Sequence, residues 1–174
     1  MKLRLWIVST TLICFSNLLL AQDVTYNFDK TANFTKYHTY KWITLSTTAH
    51  PNQLVDSQIR AAVESQLTQK GLTPTTGDNP DLDVAYQVSI DKETQLDTWG
   101  MGGGWGFGGT ATTTSSTVNV GTLVIDFFDP AAKKLIWRGQ GTKTLNPSNN
   151  PQKNQERLEK GVKKILKNFP PNSK

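Results

Sequence analysis

The spacing of hydrophobic positions changes several times along the chain, and each change marks an element. Val24, Tyr26 and Phe28 alternate with Thr25, Asn27 and Asp29, and Tyr40 and Trp42 alternate with Thr39, Lys41 and Ile43. Both runs predict half-buried strands. Lys30–Asn33 between them is polar and turn-like, with Phe34 and Tyr37 placed to pack under the sheet edge; 44–52 reads as a loop. From Gln53 to Lys70 the period becomes helical: Ile59, Ala62, Val63, Gln66 and Leu67 fall on one face. Asn52 is a natural N-cap, Asp56 suits the positive first turn, and Gly71 suits the stop.

Thr73–Pro80 holds two prolines, a glycine and Asp78-Asn79, a turn-rich connection into the alternating Leu82, Val84, Tyr86, Val88 and Ile90. That strand is expected to end near Lys92. Gly100–Gly109 reads GMGGGWGFGG, which is expected to be flexible, and the Thr/Ser run 110–117 extends the same loop, giving 99–116 in all. Strands resume at Val118–Phe128 and Lys134–Leu145 around an Asp129–Lys133 hairpin turn. Asn150-Pro151 then starts a helix carrying Leu158, Val162, Ile165, Leu166 and Phe169, which Pro170-Pro171 stops. The order β-β-α-β-β-β-α predicts an α+β two-layer sandwich, a largely antiparallel sheet of about five strands with two helices on one face.

The first residues are unlike the rest. Lys2 and Arg4 precede an apolar run from Leu5 to Ala21 interrupted by Ser9, Thr10, Thr11, Ser16 and Asn17, the layout of a signal peptide cleaved after Ala21. The expected mature chain is a single domain, 22–174, with no transmembrane segment, exported to the periplasm or secreted. Cys14, the only cysteine, lies inside the apolar run. Ile13 before it and the apolar run after it argue against lipid attachment, so an outer-membrane lipoprotein is the lesser alternative. Without Cys14 the mature chain has neither disulfide nor thiolate metal site. Loss of Lys2 and Arg4 lowers the formal charge from +5 to +3. Lys153, Arg157, Lys160, Lys163, Lys164 and Lys167 cluster near the C-terminus and suit an acidic polysaccharide or anionic lipid. An exported destination sets nucleic acid aside.

Candidate chemistry is sparse. Gly104-x-Gly106-x-x-Gly109 lacks the flanking strand, helix and distal acid of a dinucleotide site, and no Gly-Lys-Ser/Thr follows for a phosphate loop. Trp99, Trp105 and Phe107 are the candidate contact residues, aromatic rings on a glycine loop that suit a sugar, a lipid interface or a protein partner. Asp78, Asp81 and Asp83 gather at a turn without the ligand spacing of a calcium loop. His38 and His50 have no metal-ligand partner nearby in sequence, and no serine sits in a nucleophile elbow. Asp126, Asp129 and Arg138 bracket the last hairpin, as a binding pair or a cross-strand ion pair. Trp42 and Trp137 fall on apolar strand faces and read as core anchors.

Six segments in order resemble the bacterial family called domain of unknown function 4136: Val24-Thr25-Tyr26 with Asp29; YHTYKW at 37–42; Pro80–Val84; Gly121–Asp126; Lys134–Gly139; and Asn168–Pro171. The resemblance implies an exported envelope protein, often lipid-anchored in that family, with the same fold, and it supplies no activity or catalytic residues. The expected function is a non-catalytic envelope module, a monomer without cofactor or metal, that contacts an envelope protein or polysaccharide. Two alternatives stand beside it. One is a hydrolase of an envelope polymer using Asp126 or Asp129. The other is a carrier of a small apolar ligand, which needs an enclosed cavity of at least ~300 Å³.

Overall fold

The computed structural model describes residues 23–45, 51–100 and 111–171. Along these the chain forms β1 (Asp23–Phe28), β2 (Thr39–Trp42), α1 (Gln53–Gln69), β3 (Thr73–Pro74), β4 (Leu82–Gly100), β5 (Ala111–Asp129), β6 (Lys134–Thr144) and α2 (Pro151–Ile165). Short 3-10 turns lie at Phe34–Lys36 and Leu166–Asn168. Both helices begin where the polar caps predict. The Asn52 side chain accepts from Val55 N–H at 3.0 Å, and Asn150 accepts from Lys153 N–H at 3.3 Å ahead of Pro151. Gly71, at φ +84°, ends α1 while Leu72 N–H returns to the Leu67 carbonyl at 3.0 Å.

The α+β class and the two helices agree with the sequence pattern; the sheet does not. It is mixed and six-stranded, in the order β1-β6-β5-β4-β2-β3. The β1–β6, β6–β5 and β5–β4 pairs are antiparallel, whereas β2 runs parallel to both β4 and β3. The cause is α1, which carries the chain back along the sheet so that β4 enters in the same direction as β2. Thr73 and Pro74, expected to be part of a turn, form the outermost strand, an edge position where a proline without N–H fits a sheet. Strands β4 and β5 are also longer than expected, reaching Gly100 and starting at Ala111 where the pattern put Lys92 and Val118.

Leu82, Val84 and Tyr86 of β4, Ile125 and Phe127 of β5, and Trp137 of β6 join Ile59, Val63 and Leu67 of α1 and Val162 and Ile165 of α2 in one core. Phe169 closes it, its ring stacked on Phe127 at 4.0 Å between centroids and edge-on to Trp137 at 5.3 Å. A bulge between the pairs Phe127↔Trp137 and Phe128↔Leu135 leaves Ile136 without a counterpart, and both Ile136 and Trp137 are buried. The Trp137 indole lies over Gly139. A Cβ at Gly139 would collide with that ring and stand 2.8 Å from Ile165 Cγ2. Phe34 meets Phe28, Tyr37 and Phe169 edge-on, as its expected place under the sheet edge requires.

Candidate functional site

The acids that the sequence brings near the last hairpin are separated by the pleat of β5. Asp126 pairs across the sheet with Ala85, on the face away from the helices, and is fully buried beneath Arg138. The guanidinium grips it with two bonds, Nε to Oδ1 at 2.6 Å and Nη2 to Oδ2 at 2.8 Å, and Gln87 donates to Oδ2 at 3.3 Å. The hydrogen bond to Asp126 holds the Arg138 pKa above its ordinary value. Asp129 takes the opposite face. Its carboxylate accepts from Lys36 Nζ, Tyr37 Oη and Ala132 N–H at 2.9, 2.9 and 2.8 Å, and these donors, Lys36 foremost, lower its pKa to about 2. Each acid thus has its own cation on its own side of the sheet.

Asp81 accepts from the backbone N–H groups of His38 and Thr39 and from the Thr39 hydroxyl, at 2.8 to 2.9 Å, which fixes the start of β2 beside the start of β4. Those bonds lower its pKa. Asp83 lies two residues further on, opposite Lys41, where burial raises its pKa. Among the described residues no three His, Cys, Asp or Glu side chains stand together as a metal site would require. Trp137 is wholly buried, as expected of a core anchor. Trp42 is only partly so: its indole N–H donates to Glu64 at 2.8 Å and the Arg60 guanidinium lies over its ring. Tyr86 donates to Asp56 in the first turn of α1, tying that turn to the sheet.

The feature that stands apart is the outer half of the β4–β5 hairpin. The two strands pair without a break from Asp83↔Phe128 to Gly100↔Ala111. On one side β2 stops opposite Val84, and on the other β6 stops opposite Val120. Beyond Asp91 and Val120 the sheet is therefore two strands wide for about 30 Å, at about 3.4 Å per residue. Residues 91–96 and 113–117 are exposed on both faces. Ile90 and Leu96 continue the alternation of Leu82 to Val88 past the end of the helix layer and are 64% and 68% exposed. Leu54, near the start of α1, and Leu145, just after β6, are exposed as well.

Of the three candidate contact residues, Trp99 lies in this hairpin, its backbone opposite Thr112. Trp105 and Phe107 lie outside the described residues, as does most of Gly100–Gly109. His50 and Cys14 do so too. Ile90 was read among the alternating apolar positions and Leu96 lay past the strand end expected near Lys92; neither was read as exposed, because alternation looks the same whether or not a layer covers it.

Two surface clefts accompany this arrangement. One, of about 400 Å³, runs between the helices and is lined by Ser65, Gln69, Gln155, Glu156, Glu159 and Lys163 among others. The second, of about 250 Å³, lies among Phe34, His38, Lys70 and Pro170. The basic side chains of α2 are exposed and partly engaged locally, Arg157 donating to the Asn146 carbonyl at 2.6 Å and Lys160 standing 4.0 Å from Glu156. Among the described residues no helix is long and apolar enough to cross a membrane.

Solved structures share this fold. A PDZ domain protein from Parabacteroides distasonis superposes with a TM-score of 0.58 at 16% identity over 86% of this chain, which spans 35% of that protein. The PelC dodecamer from Paraburkholderia phytofirmans gives a TM-score of 0.50 at 13% identity, over 84% of this chain and 96% of that one. No curated protein matches the sequence. The family model for the domain of unknown function DUF4136 matches residues 24–171, nearly all of what folds here, and the chain belongs to that family.

Proposed function

We propose that this protein is an exported, non-catalytic module of the bacterial cell envelope that works by contact, its projecting hairpin meeting a partner protein or another envelope component. The hairpin carries the reading. A ribbon of two strands, wet on both faces, adds almost nothing to a core, yet Leu96 stands exposed along it and Ile90 just before it begins. The separated acids favour contact over hydrolysis, since cleaving a glycosidic bond needs two carboxyl groups flanking that bond. Asp126 and Asp129 instead face opposite ways, each already paired. A carrier would need an enclosed apolar cavity, whereas the larger cleft lies open at the surface between the helices, with Glu156, Glu159, Lys160 and Lys163 on its lining beside Ala61 and Ala62.

A photo-crosslinking residue placed at Leu96 in the native host tests this, with Lys164 on α2 as the comparison site. The expected result is one discrete adduct from Leu96, found in the envelope or periplasmic fraction, and none from Lys164. A chain that stays in the cytosol, or adducts that do not favour Leu96, would overturn the proposal.

A further inference from the structure

The outward side of α2 holds the positive charge of the chain. Pro151–Asn168 has six cations and two acids, a surplus of four against +5 for the whole sequence, which leaves the rest of the expected mature chain slightly acidic. Lys153, Arg157, Lys160, Lys164 and Lys167 follow one another at steps of four and three. That spacing sets them in one row on the side of the helix turned away from Val162 and Ile165, and all five are exposed. At about 1.5 Å per residue the row is about 20 Å long.

The usual causes of a charged helix face do not account for it. The helix dipole favours Lys163, Lys164 and Lys167 near the C-terminal end, yet Lys153 stands in the first turn, where the dipole opposes a cation and no acid offsets it. Within the row Lys153 and Arg157 are like charges one turn apart, as are Lys160 and Lys164, and such pairs weaken a helix. Among the described residues only Lys160 of the row has an acid nearby, Glu156 at 4.0 Å. Along α1, by contrast, Asp56, Arg60 and Glu64 alternate in sign at the same one-turn spacing, and Arg60 bonds Asp56 at 3.0 Å.

We infer that α2 is a binding surface for a linear acidic polysaccharide, a polymer of uronic-acid type whose carboxylates lie along the row. The charge forms a line one helix wide, bordered by Asn154 and Gly161 on one side and Glu156 on the other. Its cations stand about 5 Å apart along the axis on average, close to the length of one sugar unit in an extended chain. Lys160 and Lys163 also line the cleft between the helices, whose α1 wall offers Ser65, Gln66 and Gln69 to sugar hydroxyls. A bilayer fits less well, because a helix lying in a lipid interface turns an apolar face to it, and the apolar face of α2 is in the core. This surface belongs to the helix layer and does not depend on the contact proposed for the hairpin.

Binding of the mature chain from Gln22 to polygalacturonate, with the methyl ester as the uncharged comparison, tests the inference at about 0.15 M salt, where distant charges are screened. The expected result is binding to the acid and none to the ester. Changing Lys153→Gln, Lys160→Gln and Lys164→Gln together is expected to weaken binding at least about tenfold, while Lys30→Gln, Lys92→Gln and Lys143→Gln, the same charge removed elsewhere, should change it less than about threefold. The row variant is expected to keep its melting temperature, and Lys→Arg at the same three positions to keep binding. Equal losses in the two glutamine variants would overturn the row in favour of net charge. Absence of binding to polygalacturonate, or binding to phosphatidylglycerol vesicles in its place, would overturn the polysaccharide as the ligand.

Discussion

At the scale of single residues, Gly139 leaves the least room for a side chain of the described glycines in the sheet. The Trp137 ring occupies the space a side chain would need, and Ile165 of α2 blocks retreat. Gly139→Ala is expected to cost about 1–3 kcal/mol, the usual penalty for overfilling a packed core, read from urea unfolding. Gly121→Ala makes the control: its Cβ would stand 2.8 Å from Leu145 Cδ2, but Leu145 is 40% exposed and free to swing aside, so the loss should be smaller. Trp137 was legible in the sequence as a core anchor because an alternating strand announces its inward side. Gly139 was not, since a glycine in a strand declares a need for space only when the neighbour that fills it is known. The acids were half legible. Their nearness in sequence was plain, but their separation follows from the step of three positions between them, an odd number that on a pleated strand puts Asp126 on one face and Asp129 on the other.

At the scale of elements, the helices were read closely because their signals are local: the Asn52 and Asn150 caps, Gly71, Pro151 and the repeating apolar face all act within a turn or two. The hairpin was not, and the reason is physical. Alternation records which side of a strand is buried, and where both sides are wet, as along Thr113–Thr117, no alternation is imposed and the run resembles a loop. Only the abundance of β-branched threonine hinted at a strand. β3 escaped notice because two residues carry no period at all. A direct consequence of an exposed ribbon is that the body should not depend on it. Replacing Thr94–Thr117 by Asn-Gly joins the paired residues Glu93 and Val118 by a tight turn. The melting temperature of that variant should match wild type, and a large fall would mean that the ribbon supports the core.

At the scale of the whole molecule, Asp129 links the chain's beginning to its last hairpin, through Lys36 and Tyr37 on one side and Ala132 on the other. Its pKa in the folded state, about 2, lies below the roughly 3.9 of an unfolded aspartate. The native state therefore holds its proton less readily, and the stability this confers is complete above about pH 4 and lost as the pH falls toward about 2. Urea unfolding at a series of pH values should show wild type more stable than Asp129→Asn at neutral pH, with the gap closing across that window; a gap independent of pH would assign the linkage to packing instead. The strand order sets a further condition on how the molecule comes together. β1 is synthesised before every other strand, yet its sheet neighbour is β6, so Phe28 waits for Trp137 and Asp23 for Thr142. The β4–β5–β6 meander can form from contacts close in sequence, while β1 must close a loop of more than a hundred residues, a slow step by its nature. A chain built this way cannot complete its sheet until nearly all of it has been made.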